Sequence, residues 1–250
     1  MIGAGDLKKI VVDSQFYVSL MGTLLATFFM LEAHTFRFPT FFLIFITYFS
    51  GYLYTKYQNT RLFPKILLLN VLAGAVCVVL IIHNHNTDRL LKWFCIVALG
   101  LLYNSSFLSA PVRKFPLLKV FYVGLVWGLV NAWLSLPQLR VPFFWTSFLF
   151  ITALVLPFDI RDMDTDDVVT FPKLIGVRNT KLLALLLLSL AAGVAYGYLR
   201  PPFGPAFAVA AGVAAIGVFL AQKNRPDAYY SFWIESCSAL PLLFWWLAGR

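Results

Sequence analysis

The stretch PFDIRDMDTDDVVTFPKLIGV, residues 157–177, decides how this chain is read. Asp159, Asp162, Asp164, Asp166 and Asp167 place five of the chain's eleven carboxylates within nine residues. Elsewhere the chain is strongly apolar: 60% of its 250 residues are hydrophobic, 12% are charged, and the mean hydropathy is +0.80. A soluble globular domain is nearer half apolar and a quarter charged. The composition therefore points to an integral membrane protein of many spans, one transmembrane domain over residues 1–250. In such a chain an acidic cluster is costly, and it reads first as a functional site. Crowded carboxylate oxygens suit a hard divalent cation such as Mg2+.

Working outward from the acids, apolar runs between charged or Pro/Gly punctuation predict nine spans, since about 20 apolar residues cross a bilayer as a helix. They fall near 15–34, 38–57, 65–83, 90–108, 117–135, 142–159, 181–199, 204–221 and 229–248. The sixth run is short, so its helix is expected to continue into the acidic segment. Nine spans put alternate loops on one side. Fourteen of the twenty Lys and Arg residues then share a side, and six (Arg37, Arg89, Lys92, Arg140, Arg200 and Arg250) occupy the other. The asymmetry predicts a cytoplasmic N-terminus and an outward C-terminus; the expected location is a cell inner membrane. It also puts the acids on the cytoplasmic face, beside the basic loops.

The net charge of +9 reads as positive-inside loops and contact with anionic headgroups of membrane lipid. No compact basic motif supports a nucleic-acid partner. Cys77, Cys95 and Cys237 sit in apolar runs and form no disulfide framework. The sequon at Asn104 lies at a helix end placed on the cytoplasmic side. The first apolar run reads as a span rather than a cleaved leader. His83 and His85 fall at the opposite end from the acids and read as loop residues. Glu32 and His34 read as interfacial. Glu235 lies inside the ninth apolar run, where a charge has reason to face the bundle interior.

If the acidic segment is helical, Asp159, Asp162 and Asp166 fall within about 60° of one another, because successive residues turn by about 100°. Such a stripe repels itself without a counter-ion, and it can bridge divalent cations that in turn bridge a diphosphate. Asp164 points elsewhere, Asp167 is intermediate, and Arg161 lies roughly opposite the stripe. A solvated loop is the plainer alternative. Against it, the segment runs straight on into Val168, Val169, Phe171, Leu174 and Ile175, which need a surface to pack on.

The run DIRDMDTDDVVTFPKLIGV resembles the second aspartate-rich motif of the UbiA-type intramembrane prenyltransferases. Asp159, Asp162 and Asp166 match its three acids, and Thr170, Leu174 and Gly176 its continuation. The segment LLYNSSFLSAPVRKFPLLKVFYVGLVWGL is similar to that family's fourth and fifth spans through Tyr103, Pro116, Lys119 and Gly128. The resemblance implies an all-α, UbiA-like bundle around a central cavity. It also implies transfer of an isoprenyl group from an isoprenyl diphosphate to a small acceptor. On that resemblance, Mg2+ on Asp159, Asp162 and Asp166 would neutralise the leaving diphosphate. Lys56, Arg113, Lys119 and Lys173 then meet the diphosphate, with Tyr103 and Asn104 lining the cavity. Aromatic faces can stabilise an allylic cation, and the second span crowds Phe41, Phe42, Phe45, Tyr48, Phe49, Tyr52 and Tyr54. Their plainer role is packing and interface anchoring.

The resemblance stops at the family's first motif, an Asn-Asp-x-x-Asp signature near the end of span two. Here that place reads Thr47 to Asn59, TYFSGYLYTKYQN, without a carboxylate. Three readings stay open: transfer with one acidic cluster, altered chemistry on a lipid substrate, or a silent lipid-binding or scaffold protein. A cation transporter would need acids along a path across the membrane, and none is visible. The Asp-Gly-x-x-Ala-Arg element of the CDP-alcohol phosphotransferases is absent.

Overall fold

The computed structural model describes residues 15–104, 112–166 and 168–249, with the side chain of Arg113 outside the description. Among these residues the chain is all helical. Helices α1 (Phe16–Glu32), α2 (Phe38–Tyr57), α3 (Phe63–His83) and α4 (Asp88–Tyr103) form the first half. A short 3-10 turn (Val112–Lys114) precedes α5 (Leu118–Leu129), which runs on as a π-helical turn (Val130–Leu134). Then come α6 (Val141–Arg161), α7 (Phe171–Tyr198) and α8 (Phe203–Leu220). The ninth run, α9, covers residues 229–248. It comprises a π-helical turn (Tyr229–Ile234), a 3-10 turn (Cys237–Ala239) and an α-helix (Leu240–Ala248).

Sequence chemistry sets these boundaries. Proline stands in the first turn of α2, α3, α6, α7 and the α-helical part of α9. There its missing N–H is no loss and its φ already suits a helix. Five helices (α2, α3, α6, α7 and α8) are long and apolar enough to cross a membrane, and α1 and residues 118–134 are shorter apolar helices. Helix α7 starts ten residues before the expected seventh span. Lys173, Arg178 and Lys181 interrupt its apolarity, so hydropathy alone places the start too late. Its first turn is set off by Gly176, whose φ of 80° and ψ of 159° break the helix. Only glycine takes that conformation at little cost.

Each helix packs on its sequence neighbours, and α9 closes the ring against α1. In lipid, helices associate through close packing of small residues rather than by expelling water. Gly124 shows this between α5 and α6: a Cβ there would collide with Thr152 Oγ1 and lie 2.9 Å from the Phe148 carbonyl. The ring is tight from α5 through α9 and α1 to α3, and loose where α4 meets α3 and α5. Helix α3 leaves Leu67, Leu68, Val71, Leu72 and Val79 exposed, as befits a lipid-facing surface. The loose side is where an interior space remains.

Candidate functional site

That space is an apolar cavity of about 400 Å³ between α2, α3, α4 and α5. Its walls include Tyr48, Tyr52, Tyr54, Trp93, Tyr103, Tyr122 and Trp127. The tyrosine hydroxyls and indole N–H groups in it are largely satisfied among themselves. Trp127 Nε1 donates to Tyr52 Oη at 3.1 Å, Tyr48 Oη donates to Asn131 Oδ1 at 3.2 Å, and Trp93 Nε1 donates to Thr47 Oγ1 at 3.1 Å. Of the seven aromatics on the second span, Tyr48, Tyr52 and Tyr54 line this space. Phe45 and Phe49 instead stack on each other, and Phe16 meets Phe45 edge-on.

A second cavity, of about 190 Å³ and polar, adjoins the first. Tyr103 borders both. Lys119, Val155, Phe158, Asp159, Arg161, Asp162 and Asp166 complete its lining. Helix α6 carries Asp159 in its last turn and ends at Arg161, and the Asp162 N–H closes that end on the Phe158 carbonyl at 2.9 Å. The chain then turns tightly, with the N–H groups of Thr165 and Asp166 both donating to the Asp162 carbonyl. The expected continuous helical stripe is therefore not formed. Aspartates are weak helix formers, and three adjoining charges favour the turn. Asp159, Asp162 and Asp166 nevertheless reach one cavity, because the turn folds Asp166 back.

Two resident cations hold these acids. Lys119, at the start of α5, lies 2.8 Å from Asp159 Oδ1 and also donates to Asp166 Oδ2. Arg161 grips Asp162 with two hydrogen bonds, Nε at 2.6 Å and one terminal nitrogen at 2.8 Å. Its guanidinium also lies over Phe158 at 5.2 Å and Tyr230 at 5.5 Å. The expectation that Arg161 stands opposite the stripe is thus corrected: once the helix ends, the two neighbouring side chains meet. Three carboxylates against two cations leave one negative charge. Among the described residues, no three His, Cys, Asp or Glu side chains are gathered about one point for a metal. One oxygen is nevertheless spare: Asp159 Oδ2 is buried without a hydrogen-bond partner. A buried unpaired acceptor is costly, and this one lies on a carboxylate in the wall of a cavity. Asp162 and Asp166 line the same cavity, and carboxylate oxygens are the kind of donor that a hard cation takes.

The remaining expected residues are scattered. Lys173 donates to the Asp166 backbone carbonyl and so holds the turn. Lys56 is exposed at the end of α2, lies over the Tyr57 ring at 5.9 Å, and lines neither cavity. Asn104 accepts at its carbonyl from Gln58 Nε2 and likewise lies outside both linings. The Arg113 side chain, Asp167 and the loop 105–111 lie outside the described residues. Asp164 pairs with Lys223, away from the cavity. The sequence singles out Tyr48, Tyr52, Tyr54 and Tyr103; it misses Trp93, Tyr122 and Trp127, which complete the aromatic wall. Tyr48 and Tyr52, hydroxylated aromatics one helical turn apart among phenylalanines, are the signal for this wall.

No protein-family model and no curated protein matches the sequence. The structure does match solved structures. One comes from work on digeranylgeranylglyceryl phosphate synthase in membranes, with 15% identity, a TM-score of 0.61, and 97% of this chain and 96% of that chain covered. Another is the apo structure of a UbiA homolog from Aeropyrum pernix K1, with 15% identity, a TM-score of 0.63, and 93% and 95% covered. Near-complete coverage at this similarity means that the whole helical ring corresponds, and the chain is an integral membrane protein with the fold of the UbiA-type prenyltransferases.

Proposed function

We propose that this chain binds an isoprenyl diphosphate and transfers its prenyl group to a small acceptor, with Mg2+ as cofactor. The observation that carries the reading is the junction at Tyr103. An apolar, aromatic cavity of about 400 Å³ meets a polar cavity lined by three aspartates, a lysine and an arginine. An amphiphile with an apolar tail and a charged head fits both halves at once. The fold neighbours, including one from work on a digeranylgeranylglyceryl phosphate synthase, support a prenyl substrate.

Asp159, Asp162 and Asp166 would hold the cation, which when bound supplies charge stabilisation for the departing diphosphate. The chain's own groups do the rest. Lys119 leaves Asp159 and Asp166 for the anionic head, freeing carboxylate oxygens as it supplies positive charge to the diphosphate. The tyrosine and tryptophan faces of the apolar cavity stabilise positive charge developing on the allylic carbon. In the transfer, the carbon–oxygen bond breaks with its electron pair leaving on the diphosphate. The acceptor's electron pair forms the new bond, and the acceptor's proton passes to the departing diphosphate. Loop charge supports a cytoplasmic placement of the acids, with the N-terminus inside and the C-terminus outside, and the membrane proposed is a cell inner membrane.

A second reading, binding without transfer, is favoured by a specific feature. Ser50, Gly51, Tyr52, Tyr54 and Thr55 of α2 line the apolar cavity, and the run 47–59 that supplies them carries no carboxylate. Both readings are separated by one experiment: Mg2+-dependent binding and turnover of isoprenyl diphosphates of several lengths, on the native chain and on Asp162→Ala. Turnover that needs Mg2+ and Asp162 supports transfer. Binding without turnover supports the silent binder. Binding and turnover indifferent to both metal and Asp162 sink the prenyltransferase reading.

A further inference from the structure

The apolar cavity has a closed end. Successive helices of the ring run in opposite directions, so the lining residues farthest from the junction at Tyr103 show where the space stops. They are Thr47 on α2, Cys77 on α3, Trp93 on α4 and Val130 at the π-helical turn. Cys77, Trp93 and Val130 are all buried. The Trp93 indole lies across this end. Its Nε1 donates to Thr47 Oγ1 on α2 at 3.1 Å. On the α3 side its ring edge is 3.5 Å from where a Cβ would stand on Gly74. One side chain therefore bridges three of the four helices that wall the cavity.

Beyond the indole the bundle is sealed. One turn earlier on α4, Arg89 donates a terminal N–H to Thr40 Oγ1 of α2 at 2.7 Å. Lys92 donates to the carbonyls of Leu136 at 3.0 Å and Pro137 at 2.7 Å. None of these residues lines the cavity. The space between floor and junction can be measured in two ways. Trp93 and Tyr103 stand ten residues apart on α4, about 15 Å along its axis. An extended polypeptide advances about 3.5 Å over three chain bonds, so the four chain bonds of an extended isoprene unit advance roughly 4.5–5 Å. The path therefore takes three units. A dry apolar cavity of about 150 Å³ accepts benzene with its six carbons, so on that scale about 400 Å³ accepts roughly sixteen. Three units carry fifteen, and length and volume agree.

We infer that Trp93 is the floor of the tail cavity and selects an isoprenyl diphosphate of three units. The inference rests on the reading of the two cavities as an isoprenyl diphosphate site, and it names which member of that class the site takes. A shorter tail leaves apolar wall uncovered. A longer one must push the indole off Thr47, or leave sideways past Leu67 and Val71, which line the cavity and are exposed on the lipid side of α3. Gly100 has the complementary role. It lines the cavity between floor and junction, and a Cβ there would meet nothing within 4 Å, so glycine keeps the tail's path wide.

The test is equilibrium binding of radiolabelled isoprenyl diphosphates of two, three and four units to the detergent-solubilised full chain, with Mg2+ present. The native chain is expected to hold the three-unit tail about tenfold more tightly than the four-unit tail, because a single surplus methylene in a fitted apolar pocket already costs about that factor. Trp93→Ala should raise the ratio of four-unit to three-unit affinity about tenfold. Trp93→Phe, which keeps a ring at the floor, should raise it less. Gly100→Leu shortens the path and should move the preference to two units. The ratio between lengths is the readout, since a variant that only packs poorly weakens every tail alike. Equal native affinity for three and four units would mean that the tail leaves sideways past α3, and Trp93 is then no floor. An unchanged ratio in a Trp93→Ala chain that still unfolds cooperatively overturns the inference as well. If Trp93→Ala does not fold, an unmoved preference in Gly100→Leu overturns it instead. If the native chain binds no length at all, the isoprenyl diphosphate reading itself has failed and the floor falls with it.

Discussion

The two ends of the bundle solve the same electrostatic problem in opposite ways. At the end away from the acidic cavity, Glu32 closes α1 almost fully buried. Arg200 Nε donates to Glu32 Oε1 at 3.2 Å, and Arg140 faces Oε2 at 3.6 Å. Arg200 also bonds the Glu32 carbonyl and His34 Nε2. Two cations surround one acid, and the cluster ties the end of α1 to the approaches of α6 and α8. At the other end three acids share two cations and a cavity lies alongside; Glu32 Oε2 and Asp159 Oδ2 are both buried without a hydrogen bond, and of the two it is Asp159 that lines the polar cavity. Buried charge by itself does not mark a site. An excess of acceptors beside open space does, and an excess of donors closed over one acceptor marks a staple.

The sharpest way to break this comparison is to remove the staple. Glu32→Ala removes the buried acceptor on which Arg200 and Arg140 converge; both arginines are half exposed and stay solvated, so stability is expected to fall by about 1.5–3 kcal/mol. Thermal unfolding in detergent measures the loss, and the fraction still folded should bind diphosphate ligands as the native chain does. Loss of binding with stability intact would reverse the assignment of the two ends. The next effect comes from adding ligand. With diphosphate present, Mg2+ at a hundred times its dissociation constant should stabilise the native chain by about 2.7 kcal/mol. Asp159→Asn/Asp166→Asn should abolish that gain, and Arg140→Gln should keep it. A gain that survives in the double variant would place the cation elsewhere.

The contrast also separates what residue order conveys from what it conceals. Apolar runs and first-turn prolines place the helices, because a bilayer leaves few alternatives for a polar backbone. The acids of residues 159–166 announce themselves by cost. Their partners do not. Lys119 is forty residues upstream of Asp159, and a salt bridge over that separation depends on α5 and α6 packing through Gly124, which no local pattern encodes. The side on which Arg161 falls depends on the helix stopping one residue before Asp162, whereas a face drawn at constant pitch assumes that it continues.

A smaller effect tests whether the acidic cavity is kept for function rather than for folding. Replacing Lys119 and Asp159 together by Met and Leu exchanges a buried pair for apolar side chains of similar bulk. Such exchanges are often neutral or stabilising, so the unfolding temperature should hold or rise while Mg2+-dependent binding disappears. Lys119→Met alone, which strands Asp159, should be less stable than the double variant.

The smallest expected change is at the exposed pair Lys223–Asp164, which joins the turn after α6 to the loop after α8. Both side chains are about half exposed, and exposed pairs contribute only about 0.2–1 kcal/mol, reduced further by salt. Lys223→Gln should therefore shift the unfolding curve slightly at low ionic strength and not at all at high salt. The same variant has a second use. Asp164 belongs to the acidic run by sequence but lies outside the cavity lining, so cation affinity should be unmoved. If Lys223→Gln changes Mg2+ binding as strongly as Asp159→Asn does, the whole acidic run acts as one diffuse charge, and the geometry that singles out Asp159, Asp162 and Asp166 carries no chemical weight.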